Sequence, residues 1–323
     1  MEASSIPPGT SALESRRGAG DRIGDSALRG LTGAAALGAV ALIAFIAYTV
    51  FERAWPAISK FGLAFLWHEK WDPVTSAFGA LDFIYGTAFT SILALLVAAP
   101  ISIAIGLYLS ELAPPGVRGV VGSLIEMLAA IPSVVLGLWG ILVLGPFVKD
   151  DLEPFLGSFL GWTPFFRGQH NVVGFLPAVI VLTIMIVPIA SAICRELFLT
   201  VPQDLKEGAY ALGLTRWEMV RGVVFPYTRG GVVAAMLLGF GRAVGEAIAV
   251  TQVIGGTSHI TLNLFQSGDT LASRIAAQYQ GAVSNVHTAS IVYLAAILLV
   301  YALVTNVVAQ LVVQRFERRA RGA

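Results

Sequence analysis

The 323-residue chain is 56% hydrophobic and only 13% charged, with 21 basic and 20 acidic residues, well below the roughly 25% charged share of a soluble globular domain. That balance excludes a soluble enzyme and identifies a membrane protein. One cysteine, Cys194, excludes an intramolecular disulfide. No G-x-x-x-x-G-K-[ST] occurs, and none of the four lysines follows a glycine, so the chain does not bind ATP by a P-loop; energy for any work must come from another subunit.

Six apolar stretches are long enough to cross a hydrocarbon core: Leu31 to Phe51, Phe83 to Ser110, Val120 to Phe147, Val172 to Cys194, Gly230 to Ile254 and Thr288 to Val313. Each is too long for a barrel strand and lacks period-2 alternation, so an all-α membrane fold of six transmembrane helices is predicted. The first stretch exceeds the usual apolar region of a signal peptide and follows a polar segment, and it is expected to be retained as a span. Residues 1–29 mix Ser, Gly, Pro and both charges and read as a disordered tail. The transmembrane domain is expected over 30–315, with its core at 83–313, and a short basic tail over 316–323.

With six spans both termini share a side. That side carries Arg16, Arg17, Arg22, Arg29, Arg118, Arg195, Lys206, Arg216, Arg221, Arg229, Arg315, Arg318, Arg319 and Arg321, which is 14 of the 21 basic residues. The positive-inside rule makes it cytoplasmic in a multi-pass membrane protein. The net charge of +1 averages two unequal faces and says nothing about partners.

In chain order, the outer segment Glu52 to Leu81 carries Trp55, Trp67 and Trp71 and is expected to lie partly in the interface, tryptophans at headgroup level. Pro100, Pro132, Pro177 and Pro188 fall inside spans and predict kinks. Glu126 is expected inside the third span, snorkelling or paired. Lys149 to Asn171, with Asp150, Asp151, Glu153 and His170, reads as solvated surface. His68, His170, His259 and His287 are widely spaced, with no metal-binding pattern, and no metal or cofactor is expected.

Between the fourth and fifth spans, 200–226 is the longest polar interval of the second half. It reads as two short helices. Thr200 is the expected N-cap of the first, with Gln203 completing a capping box and Pro202 in the first turn. Gly213 ends that helix in the left-handed conformation. Thr215 and Glu218 open a second capping box, and Gly222 and Pro226 are expected to bound the helix it starts.

The fifth span contains Gly241-Arg242-Ala243-Val244-Gly245-Glu246. Arg242 and Glu246, four apart, are expected on one helix face, and Gly241 and Gly245 form a small-xxx-small pair for close helix packing. A charge at mid-membrane costs about 2.5–3.5 kcal/mol. A guanidinium there can hold an oxyanion through paired hydrogen bonds, and a carboxylate beside it can accept a proton-bearing oxygen. The pair therefore marks a substrate path, with hydrogen phosphate a better fit than sulfate. The structural alternative is a buried ion pair locking helices together.

Glu207-Gly208-Ala209, three residues, Gly213, nine residues and Val223-Val224-Phe225-Pro226 resemble the E-A-A-x3-G-x9-I-x-L-P signature of ABC importer permeases, with Gly208, Val223 and Phe225 as conservative departures. Trp71-Asp72-Pro73, Phe78 to Leu81, Ile84 to Thr87, Ser110 to Ala113, Ile131 to Trp139 and Gly241 to Glu246 resemble the PstC family of phosphate-specific permease subunits. The continuation Ala247-Ile248-Ala249-Val250 departs from the Thr-Ala-Pro-Leu-Leu usual in the partner family PstA. The resemblance implies a type I importer fold in which 200–226 docks onto an ATPase through Glu207, Gly208, Ala209, Gly213 and Pro226. It also implies a PstA-like second permease, two copies of a cytoplasmic ATPase, an external phosphate-binding protein, and Arg242 and Glu246 on the translocation path. A same-type permease for another solute and a non-transporting scaffold or sensor remain the alternatives. A DNA-reading role for the helix pair fails, since its charges are balanced and it is tethered to the membrane.

Overall fold

The computed structural model describes residues 19–321. It divides into two compact units, Met1–Glu52 and Arg53–Ala323. Among the described residues the structure is helical, apart from isolated bridges at Asp72–Ala77 and Gly255–Gly268. Six helices are long and apolar enough to cross a membrane, in agreement with the all-α prediction.

Helix α1 runs from Ala19 to Phe61, through the break between the units, and all of the first unit that is described is this helix. It begins well inside the segment expected as a disordered tail, where 19–29 joins the apolar stretch with no proline between them. Residues 1–18 of that tail lie outside the described part. At the other end of the chain the last helix likewise continues to Arg321 through most of the basic tail.

In the second unit, α2 (Leu81–Leu107) ends in a wide π turn, Tyr108–Leu112, and a short helix α3 (Pro115–Ala129) follows. Pro132 is the N-cap of α4 (Ser133–Trp139), so it starts a helix instead of kinking one. The third span therefore covers 133–160, through α4, α5 (Gly145–Phe147) and α6 (Glu153–Leu160), instead of beginning at Val120. Glu126 consequently sits exposed on α3, outside the span. Pro lacks an N–H and restricts the residue before it, which is why the chain breaks at Ile131 and restarts.

Helix α7 (Phe175–Leu199) is the centre of the unit: 67% of its apolar window is buried, against 28% to 33% for the other four spans of this unit. It packs along α2, and α10 (Phe225–Gly245) crosses both, with α13 (Asn285–Arg321) on α10. Membrane helices gain little from water exclusion between them and associate through close packing. Here a Cβ on Gly106 would lie 2.8 Å from Cys194 Cβ, and one on Gly239 2.7 Å from Ile186 Cγ2. Pro100 and Pro188 lie inside α2 and α7, and Pro177 in the first turn of α7.

Between α7 and α10 come α8 (Gln203–Ala211) and α9 (Arg216–Met219). After α10 the chain forms α11 (Ile248–Val253), a loop, and α12 (Leu271–Gln278). The loop's Gly268 and Asp269 pack against α2 and α7. A Cβ on Gly86 would fall 1.9 Å from the Asp269 carbonyl oxygen, so only glycine permits this approach.

Candidate functional site

The fifth membrane helix does not reach Ile254. It ends at Gly245, Glu246 takes an extended conformation (φ −72°, ψ 117°), and α11 begins two residues later. The predicted single face for Arg242 and Glu246 is thereby replaced by a helix break between them. Glu246 instead caps the following helix, its Oε1 accepting from the Ala249 N–H at 3.2 Å. Among the described residues Arg242 and Glu246 form no ion pair within 4.0 Å. Helix α11 is held against α4, where a Cβ on Gly137 would lie 2.8 Å from Ala249 Cα.

Arg242 is exposed in this chain, although it lies within a membrane-spanning helix. Ala234, Leu238, Gly241, Arg242 and Gly245 make one exposed stripe along α10. Nothing lies within 4 Å of a Cβ built on Gly241 or Gly245. Among the described residues their small-residue spacing meets no neighbour, while Gly239 packs on Ile186, and they line open space beside the guanidinium.

The 200–226 segment forms two helices joined at glycine, with differences of detail. Thr200 ends α7 instead of capping α8: its hydroxyl donates to the Leu197 carbonyl at 2.7 Å, and Pro202 occupies the N-cap of α8. The Thr200–Gln203 box therefore does not form, because Thr200 already satisfies an orphan carbonyl at the preceding helix end. Gly213 has φ +81° and turns the chain, while the Gly213 N–H donates to Tyr210 O at 2.9 Å. The Thr215–Glu218 capping box is present, with Thr215 N donating to Glu218 Oε2 at 2.8 Å. Gly222 and Pro226 do not bound that helix. A π turn at Val220–Val224 carries it into α10, and Pro226 falls in the first turn of α10, where its missing N–H costs little.

Glu207 and Gly208 are exposed on α8, and Ala209 is buried. Leu205, Tyr210, Leu212 and Trp217 expose 47%, 43%, 84% and 65% of their surface around them. They form a cluster of exposed apolar side chains on an otherwise polar segment. The inner side of α8 carries a feature the sequence reading missed. Lys206 Nζ lies 2.7 Å from Glu111 Oε1 and 3.3 Å from the Phe198 carbonyl, with the Lys206 and Glu111 side chains 9% and 10% exposed. The partners are 95 positions apart, and no local spacing links them.

At the opposite end of the bundle, Glu153 is fully buried and accepts from the Asn171 N–H at 2.9 Å, so Lys149 to Asn171 is not simply solvated surface. Trp71 is likewise no headgroup anchor. Its Nε1 donates to Gln278 Oε1 at 2.8 Å, and its ring packs on Phe65, Phe78 and Phe83, whereas Trp55 and Trp67 are 65% and 74% exposed.

Residues 102–322 match the family of binding-protein-dependent transport system inner membrane components. The chain is 40% identical over 299 residues to the phosphate transport system permease protein PstC of Mesorhizobium japonicum, covering 91% of each. It is 41% identical to the PstC of Pasteurella multocida over 86% of this chain and 88% of the other. Among solved structures, a chain of a bacterial alginate ABC transporter in complex with an alginate pentasaccharide-bound periplasmic protein superposes with TM-score 0.57 at 16% identity, covering 90% and 97% of the two chains. A chain of the MetNI methionine ABC transporter superposes with TM-score 0.50 at 18% identity, covering 74% and 94%; both show the fold alone. The exposed helix pair before the fifth span, the helical bundle and these likenesses agree: the chain belongs to the binding-protein-dependent transport system inner membrane component family and, within it, to the PstC family.

Proposed function

We propose that the chain is the permease subunit of an ATP-driven importer that passes inorganic phosphate from an external binding protein to the cytoplasm by alternating access. One observation carries the reading: an exposed guanidinium, Arg242, within a membrane helix, on an open glycine-flanked stripe beside a helix break. Lipid is a poor neighbour for that charge. Broken helices and irregular backbone at membrane depth are tolerated where they line a protein-enclosed or water-filled cavity. The stripe is therefore the wall of a path completed by a second, PstA-like permease. In it Arg242 holds the phosphate oxyanion, and Glu246 accepts its proton-bearing oxygen.

The exposed patch of α8 and α9 supports docking to a separate ATPase, two copies of which serve the two permeases. The basic loops and both termini face that ATPase in the cytoplasm. ATP closes the ATPase pair, the α8 corner moves with it, and the path opens outward and then inward. Only a ligand with different affinities for the two states can bias them, so the phosphate-loaded binding protein must prefer the outward one.

Uptake of labelled phosphate and sulfate by the reconstituted four-component system tests this. Phosphate uptake that depends on ATP and on the binding protein is the expected result. Uptake of sulfate but not phosphate would move the chain to another oxyanion, and uptake of neither would make it a scaffold.

A further inference from the structure

We propose that Lys206 and Glu111 form the tie through which the coupling corner drives the second and fourth membrane helices, as positioning residues for transport. The inference rests on the docking role proposed for α8.

Helix α8 has two faces. Leu205, Glu207 and Gly208 point outward, and Lys206 and Ala209, three apart, point into the protein. A partner that grips the outer face moves the membrane helices through the chain at the two ends of α8 and through what the inner face holds. Apart from the covalent connections at Thr200–Pro202 to α7 and at Leu212–Thr215 to α9 and on into α10, the polar part of that hold among the described residues is the single ammonium of Lys206. It reaches the carboxylate of Glu111 at 2.7 Å and the carbonyl of Phe198 at 3.3 Å. Glu111 ends α2 and Phe198 ends α7, the two helices that pack most extensively in this unit. One side chain thus pins α8 to both.

The Glu111 end is itself held. It lies in the π turn Tyr108–Leu112, closed by the Ala113 N–H to Tyr108 O at 2.7 Å, and π turns recur at functional sites. Arg118 Nη2 donates to Ser110 O at 2.8 Å, fixing the backbone beside Glu111 from α3. A buried pair adds little net stability over an apolar pair of equal volume. It is, however, directional and short: displacing α8 from α2 separates two charges out of water, which costs far more than sliding one apolar surface over another. The pair therefore acts as a stiff link in compression, tension and shear.

The test uses the complete complex with both permeases, ATPase and binding protein in liposomes, with inorganic phosphate and ATP as probes. The readouts are ATPase-subunit retention, ATP hydrolysis, and phosphate imported per ATP hydrolysed. In Lys206→Ala and Glu111→Gln the ATPase remains bound, because the outer face is untouched, and hydrolysis continues. Phosphate imported per ATP falls roughly tenfold, a change of the size that mutations between coupled sites produce. The exchanged pair Lys206→Glu with Glu111→Lys restores the ion pair but not the bond to the Phe198 carbonyl, to which a carboxylate has nothing to donate, and so recovers part of that ratio. An unchanged ratio in Lys206→Ala, or uptake that falls only in step with lost ATPase subunit, overturns the proposal. If the single variants do not assemble, the exchanged pair decides: assembly with restored coupling supports the tie, and failure of that variant too reduces the pair to a folding contact and overturns it. A wild-type complex that binds no ATPase through this chain refutes the docking reading, and the tie with it, before any variant is compared.

Discussion

Arg274 Nε lies 2.7 Å from Asp269 Oδ2, with the two side chains 9% and 2% exposed, at the end of the bundle opposite α8. Arg274 Nη2 also donates to Gly256 O at 3.0 Å and Ser258 Oγ at 3.1 Å. Its guanidinium carbon sits 4.8 Å from the centre of the Phe83 ring. Asp269 Oδ1 accepts from the Thr270 N–H and the Ser273 hydroxyl. Burial pushes the Asp269 carboxyl up from its ordinary range, opposed by the neighbouring Arg274 charge and the Ser273 and Thr270 bonds. One ion pair thus joins the loop before α12, the α12 helix and the first turn of α2.

Removing one partner leaves the other buried and uncompensated. Asp269→Ala is expected to destabilise the protein by about 3–5 kcal/mol, whereas Asp269→Leu with Arg274→Met is expected to be close to neutral. Thermal unfolding of the purified protein in detergent measures both; equal losses in the single and double variants would show that the charges themselves are required.

What could be read from the sequence follows how local the physics is. Span number and the Thr215–Glu218 box depend on composition or on spacings of three to four residues, and both are present. Gly213 carries its own signal, since a left-handed residue favours glycine. The α3–α4 boundary is marked by Pro132, but the apolar run on both sides hides a helix start and gives the pattern of a kinked single helix. The α10–α11 break has no Pro at the turn itself: Gly245-Glu246-Ala247 is compatible with continued helix, and packing of Ala249 on Gly137 decides against it. Lys206–Glu111 and Asp269–Arg274 differ in the same way. The second is five residues apart yet is formed by a loop and a helix, and the first bridges 95 positions. Neither produces a periodic pattern.

The turn at Gly213 makes a prediction about docking. Its φ of +81° is costly for a residue with a Cβ, about 1–2 kcal/mol, although nothing within 4 Å obstructs the added atom. Gly213→Val is therefore expected to reorient α8 against α9 and weaken ATPase retention, with Gly213→Asn milder because Asn tolerates this region. Glu207→Lys reverses an exposed charge on the same face and acts in the same direction without strain. Co-purification of the ATPase subunit is the measurement, and binding of the external substrate protein should not change in any of the three.

Acid should loosen one outer turn before the bundle. Asp72 accepts from the Thr75 hydroxyl at 2.6 Å and from the Val74 and Thr75 N–H groups at 2.9 and 3.3 Å. The Thr75 bonds, hydroxyl first, hold its carboxyl below the ordinary 3.8, helped by the Val74 N–H and Lys70. Since the folded value lies below the unfolded one, this stabilisation is complete above 3.8 and is lost as pH falls through the lower folded value. Hydrogen exchange of the Val74 and Thr75 amides is expected to rise, beyond its intrinsic pH dependence, only below that point. Asp72→Asn should weaken the turn at neutral pH, and protection unaffected by both acid and this change would remove the carboxylate from the account.

Arg242→Gln separates path from packing. The guanidinium is exposed on α10 and forms no ion pair within 4.0 Å among the described residues, so its loss leaves no buried partner charge within this chain. Stability and assembly should change little, while phosphate uptake should fall by about two orders of magnitude or more, the scale at which removing an oriented charge contact of about 3 kcal/mol appears in a rate. Glu246→Gln is more complex. Its Oε1 also caps α11 through Ala249, and Gln retains an acceptor oxygen for that bond. It should preserve the helix break, lose the preference for a proton-bearing oxyanion, and narrow the difference between phosphate and sulfate. Competition of sulfate with labelled phosphate uptake in the Glu246→Gln complex measures this directly. Normal uptake in Arg242→Gln would make the arginine a structural residue, and undiminished discrimination in Glu246→Gln would place selectivity in the binding protein instead.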